Sequence, residues 1–95
     1  CNARLTKSQA KRLAQVGHDG WARTIRPVHT PLDGDTLFAL STGSIGTASN
    51  APPSADMMLL STLAAEVTAM AVVNAIEAAT SLRIGNTWWP AKNNR

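Results

Sequence analysis

One run in this chain reads as a buried strand, and one strand cannot make a sheet. The turn Thr30-Pro31-Leu32-Asp33-Gly34-Asp35 leads into Thr36-Leu37-Phe38-Ala39-Leu40-Ser41. Leu37 to Leu40 are apolar without alternation, the pattern of a strand covered on both faces rather than a half-solvated edge. Its backbone N–H and C=O groups need ladder partners. The rest of the 95 residues reads as helix, loop and long helix, with no second run of this kind. The missing sheet must come from another chain or from residues outside this sequence. The chain is therefore read as part of a domain.

The flanking segments follow standard local rules. Thr6 is a good N-cap, Gln9 completes a capping box three residues on, and Leu5 can staple onto Ala10. Ala10, Leu13, Ala14, Gly17, Trp21 and Ile25 then recur at three- and four-residue spacing as one apolar face. Gly17 allows close approach, and the helix should end before Pro27. Residues 44–54 form a small-residue loop, closed by Pro52 and Pro53. A long helix is expected from Ala55 to about Leu82, capped by Ser54 with Asp56 in its first turn.

That second helix is apolar nearly all round, with a narrow polar stripe of Thr62, Glu66, Asn74, Glu77 and Ser81. A membrane span would carry Glu66, Asn74 or Glu77 inside the apolar window, so a helix buried between a sheet and a neighbouring subunit is the better reading. Residues 83–95 form a tail without periodicity, in which Trp88 and Trp89 are expected to dock on the body or on a partner.

Several function classes are disfavoured. The net charge of +3 permits an acidic partner without demanding one. Arg4, Lys7, Lys11, Arg12, Arg23 and Arg26 match no nucleic-acid motif, so they are read as a solvated face and no nucleic acid is expected. His18 and His29 lack partners at metal-ligand spacing and are read as surface or supporting residues; neither a metal nor a cofactor is expected. One cysteine and a basic, polar start point away from a disulfide-stapled secreted domain and towards a cytoplasmic one. The pair Asp33 and Asp35, at the mouth of the strand, is the one constellation that could carry chemistry. Asp-Gly-Asp is also ordinary turn composition, and residue type alone leaves both readings open. Gly34, between them, is placed where a tight conformation with φ > 0 could be needed.

The stretch from Ile25 to Gly43, "IRPVHTPLDGDTLFALSTG", preceded by "LTKSQAKRLAQVGHDGWAR" from Leu5 to Arg23, closely resembles the nylon-oligomer (aminohexanoate-oligomer) endo-hydrolases. These lie within the self-processing D-aminopeptidase and β-aminopeptidase family. The resemblance is specific from about Cys1 to Gly43 and only general beyond. It implies an α/β fold, part of an αββα sandwich of the N-terminal-nucleophile type, to which residues 1–95 supply helix, strand and long helix. It implies a precursor that cuts itself into a larger and a smaller chain, the smaller beginning with a Thr or Ser nucleophile. Asp33 and Asp35 match the aspartates beside that nucleophile, where they would orient its amino group and hydroxyl. Cys1 falls after the strand that should carry the nucleophile. On this reading the nucleophile lies upstream of Cys1, with Cys1 itself as the alternative. Implied partners are the larger chain, further copies of the heterodimer, and a linear amide or oligoamide substrate; alone, the chain should be inactive. The competing reading is a non-enzymatic oligomerisation module built on the long apolar helix.

Overall fold

The computed structural model describes residues 1–44 and 54–92, in the order α1 (Lys7–Thr24), α2 (Ser54–Ala78), β1 (Leu82–Ile84) and β2 (Thr87–Trp89). Two helices and a small antiparallel hairpin give it an α/β character. Most of the 44–54 loop, and residues 93–95, lie outside the described residues.

α1 starts where its capping chemistry dictates. Thr6 Oγ1 accepts from the Gln9 N–H at 3.2 Å, and Gln9 Oε1 accepts from the Thr6 N–H at 2.9 Å. Two N–H groups that the first turn would leave unpaired are thereby satisfied. It ends at Thr24, with Ile25 extended and its N–H donated to Trp21 O.

The expected apolar face is covered except at Ile25, with Ala10, Ala14 and Trp21 half-buried, and its centre is shifted. Leu13, Val16, Gly17 and Gly20 are buried, whereas Ile25 is exposed. The reason is α2, which crosses at Gly20. A Cβ placed on Gly20 would lie 2.4 Å from Ala65 O and 2.9 Å from Ala69 N. The contact is backbone against side-chain-free backbone, so the stripe is centred on the glycines rather than on the largest apolar groups. Ala65, 2 % exposed, is its counterpart on α2.

Residues 36–41 do not form a regular strand among the described residues, nor are they covered on both sides. Leu37, Ala39 and Ser41 are half-buried, while Phe38 and Leu40 are exposed, which is the period of two of an extended chain with one face covered. The covered face lies on the helices: a Cβ on Gly17 would lie 2.7 Å from Leu37 Cδ1 and 3.5 Å from Thr68 Oγ1. Phe38, at 89 % exposure, has no protein over it among the described residues.

Among the described residues this segment is hydrogen-bonded to the start of the chain. The Cys1 amino group donates to Leu40 O at 2.6 Å, and the Thr42 N–H donates to Cys1 O at 3.0 Å. Bonds from one residue to positions 40 and 42 of the other segment are the pattern of a parallel pair, with Cys1 opposite Ser41. Ser41 Oγ tightens the join, donating to Ala3 O and accepting from the Leu5 N–H. The start of the chain, α1 and the extended segment thus follow one another as extended chain, helix and extended chain, the crossover that parallel pairing requires.

α2 ends at Ala78, four residues short of the expected boundary, because 82–89 form a hairpin that the sequence reading missed. Leu82 pairs with Trp89, Arg83 with Trp88 and Ile84 with Thr87, around Gly85-Asn86. Gly85 has φ +58°, as a two-residue II′-type connection needs at its first position. Trp88 and Trp89 stay about half exposed, and Trp88 lies under the Arg83 guanidinium at 5.6 Å instead of docking on the body. The tail is anchored by Ala91, which is buried and donates its N–H to Ser81 Oγ, and by Lys92, which pairs with Glu77.

Only Leu13, Val16, Ala65 and Ala91 form the buried apolar core of the described residues. α2 is covered on the α1 side, while Leu59, Leu63, Val67, Met70, Val73 and Ile76 remain exposed. The expected burial of this helix on both sides is not achieved within this chain. By length and composition Asp56–Ala78 could cross a membrane. However, its mid-helix Glu66 reaches towards Arg23 of α1 at 3.9 Å, and a carboxylate at the centre of a bilayer costs about 3 kcal/mol.

Candidate active site at the 29–35 turn

Between α1 and the extended segment the chain reverses through Thr30-Pro31-Leu32-Asp33. The Asp33 N–H donates to Thr30 O at 3.0 Å, closing a four-residue turn with Pro31 in the second position, where its fixed φ belongs. Asp33 answers with its side chain: Oδ2 accepts from the Thr30 N–H at 2.9 Å. Asp35 does the same one residue earlier. Its Oδ2 accepts from the His29 N–H at 3.1 Å and from His29 Nδ1 at 2.7 Å. Two successive backbone N–H groups, of residues 29 and 30, therefore each hold one of the two carboxylates.

This is possible because His29 has φ +55°, the left-handed region. The sequence placed that demand on Gly34, and the structure moves it. Gly34 has no positive φ, and a Cβ there would meet nothing within 4 Å. His is among the non-glycine residues that tolerate the left-handed region.

The electrostatics favour the ionised form of Asp33. The Thr30 hydroxyl and then the Thr30 N–H hold its carboxyl below the ordinary value of 3.8, against an opposing effect of desolvation. A depressed folded-state value has a definite sign. The contribution of Asp33 to stability is present above its ordinary value and is lost as pH falls through the lower folded one. Replacing Thr30 with Val removes the hydroxyl and keeps the N–H. Asp33 in Thr30→Val is expected to titrate closer to 3.8 when followed by carboxyl-carbon NMR; an unmoved titration would remove the hydroxyl from the account.

The turn is fastened to α1 through aromatic rings. His29 lies 4.9 Å from His18, and His18 lies 4.9 Å from Trp21 in an edge-on contact at 84°. Both histidines thus serve the turn, and the His29–Asp35 contact is the feature that sequence reasoning missed. Its only signal was a histidine six residues ahead of an aspartate across a proline turn. No group of three or more His, Cys, Asp or Glu among the described residues has metal-binding geometry.

Cys1 is exposed and carries a free thiol, but it is not beside the carboxylates. Its amino group is bonded at Leu40, five residues past Asp35, and five extended residues span about 17 Å. What the turn offers is a pair of solvent-reachable carboxylates, each fixed by N–H donors through one oxygen. Such a pair suits a cationic amine or a hydroxyl presented from outside the described residues.

A family match joins this geometry to a known group: the model for peptidase family S58 matches residues 1–87. The chain belongs to peptidase family S58. Among its S58-like relatives, an uncharacterized aminopeptidase of Mycobacterium tuberculosis (strain H37Rv) is 60 % identical over 45 residues, which are 47 % of this chain and 13 % of that protein. An uncharacterized aminopeptidase of Mycobacterium leprae is 54 % identical over 44 residues, 46 % of this chain and 12 % of the relative. The 6-aminohexanoate-oligomer endohydrolase of Paenarthrobacter ureafaciens is 41 % identical over 44 residues, again 46 % of this chain and 12 % of the relative. The chain is thus matched to about an eighth of these relatives' length. No solved structure matches it.

Proposed function

We propose that this chain is the small-subunit part of a self-processing amide hydrolase of the S58 family, acting on linear amides such as aminohexanoate oligomers or related peptides. The nucleophile is the hydroxyl of a Thr or Ser at a new N-terminus upstream of Cys1. Its α-amine takes the hydroxyl proton as Oγ attacks the substrate carbonyl. The C–N bond breaks as the α-ammonium returns that proton to the leaving nitrogen, the amine product departs, and water then hydrolyses the acyl ester. Asp33 and Asp35 hold the amino group and hydroxyl in the attacking orientation.

The observation that carries this reading is the parallel pairing of Cys1 with Ser41. Continued upstream in register, the preceding residues run back along the 36–41 segment towards its start. Asp35 lies six positions before Ser41, so on this reading a residue about six positions before Cys1 would lie beside Asp35. The exposed sides of α2 and of Phe38 and Leu40 support the same conclusion: they suit cover by the larger chain, which would complete the sandwich and supply oxyanion-stabilising groups. The alternative of an oligomerisation module rests on the α2 face alone and leaves the ordered carboxylate pair without a role.

Intact mass and N-terminal sequencing of the purified full-length protein test the proposal. Two chains are expected, the smaller beginning with Thr or Ser about six residues ahead of Cys1. A single uncleaved chain that still hydrolyses amides would overturn it.

A further inference from the structure

We infer that His29 is a positioning residue of this site: it sets Asp35 in place through both its backbone and its ring, and it is itself braced by His18 on α1. The inference rests on the reading of Asp35 as the group that orients the nucleophile.

The backbone is the first part. A left-handed conformation is unfavourable at a non-glycine residue, and such outliers concentrate where a site needs them. Here the conformation at His29, φ +55°, accompanies a definite arrangement. At His29 that backbone turns two successive N–H groups onto two different carboxylates. The His29 N–H holds Asp35 and the Thr30 N–H holds Asp33.

The ring is the second part. Nδ1 lies 2.7 Å from the same Asp35 Oδ2 that accepts the His29 N–H, so Nδ1 carries the proton. Both bonds fall on one oxygen, and Oδ1 is left for the nucleophile's amine. Asp35 is thereby fixed in rotation by two donors from a single residue. One side of the ring rests against His18, and Trp21 lies behind His18. The brace matters because α1 is the element packed on α2 through Gly20. The carboxylate is thus tied to the helical layer rather than to a free loop.

The test uses the full-length processed enzyme and 6-aminohexanoate oligomer as substrate. His29→Gly keeps the left-handed backbone and removes the ring bond. His29→Asn also tolerates that backbone, and its side-chain amide can donate to Asp35. We expect His29→Gly to lower kcat by roughly 10- to 100-fold with KM within about twofold, the effect of loosening a reacting group's position. His29→Asn should recover most of the loss. Unchanged kcat in folded His29→Gly overturns the inference, as does an equal loss in His29→Asn. Should His29→Gly not fold, ring ¹⁵N shifts of the unmodified enzyme decide: a proton on Nδ1 supports the inference, and a proton only on Nε2 overturns it. Asp35→Ala assayed alongside separates the two layers. If Asp35→Ala is inactive and His29→Gly fully active, only the role of His29 fails; if Asp35→Ala is fully active, the reading of the site fails with it.

Discussion

Asp35→Ala is expected to lower amide hydrolysis by about 10²- to 10⁴-fold and to slow self-cleavage comparably, while leaving the fold intact. The size follows from the role proposed for it. A nucleophile that is its own base depends on the orientation of one amine and one hydroxyl, and an Å-scale error in such a group is worth about 10²-fold. The fold should survive because the side chain of Asp35 is 28 % exposed, so water can satisfy the donors it leaves behind. Asp35→Asn divides the effect. It keeps an acceptor oxygen for the His29 donors and removes the negative charge that would hold an ammonium group. If charge is what matters, Asn should be nearly as poor as Ala in steady-state turnover; if the acceptor alone matters, Asn should recover. Asp33→Ala should show a loss of the same order. Its ionised form is the one the turn favours, since the Thr30 hydroxyl and N–H both act on that carboxyl. Turnover close to that of the unmodified enzyme in both alanine variants would exclude the assignment.

The largest effect on stability is expected at Gly20. An added methyl would lie 2.4 Å from Ala65 O, 2.8 Å from Thr68 Cβ and 2.9 Å from Ala69 N. Two of those atoms are backbone, so relief requires the two helices to move apart. Overpacking of this kind costs about 1–3 kcal/mol or more, against at most about 1 kcal/mol gained from replacing glycine by alanine within a helix. Gly20→Ala should therefore destabilise by about 2 kcal/mol in denaturant unfolding of the full-length protein. Gly17→Ala is the internal control. Its closest neighbour is Leu37 Cδ1 at 2.7 Å, the end of a side chain that can change rotamer. The helix gain then offsets the contact, and a change within about 1 kcal/mol is expected. Equal losses at the two positions would mean that the helices do not meet at Gly20.

The two glycines also show how far local reading reaches. Gly17 could be chosen from its place on the apolar stripe, but Gly20 could not, because its importance is set by a helix more than forty residues away. The tail shows another limit. Leu82-Arg83-Ile84 and Thr87-Trp88-Trp89 flank Gly85-Asn86, a two-residue hairpin signal short enough to be passed over beside the long helix.

Sequence alone determined the start and end of α1, since Thr6, Gln9 and Pro27 act within a turn or two of themselves. It also raised the expectation that the 36–41 segment takes partners from outside this sequence, since buried backbone groups must be hydrogen-bonded. The pairing of Asp33 with Asp35 was legible as composition. Tertiary structure decided what holds them: a left-handed residue four places ahead of Asp33, with its ring on Asp35 and its back against His18. It also decided that Cys1 lies alongside Ser41, at the far end of the segment from the carboxylates. Caps and strand hunger are read from neighbours in the chain. A backbone dihedral and a strand register are set by which elements pack together, and that depends on contacts between residues far apart in sequence.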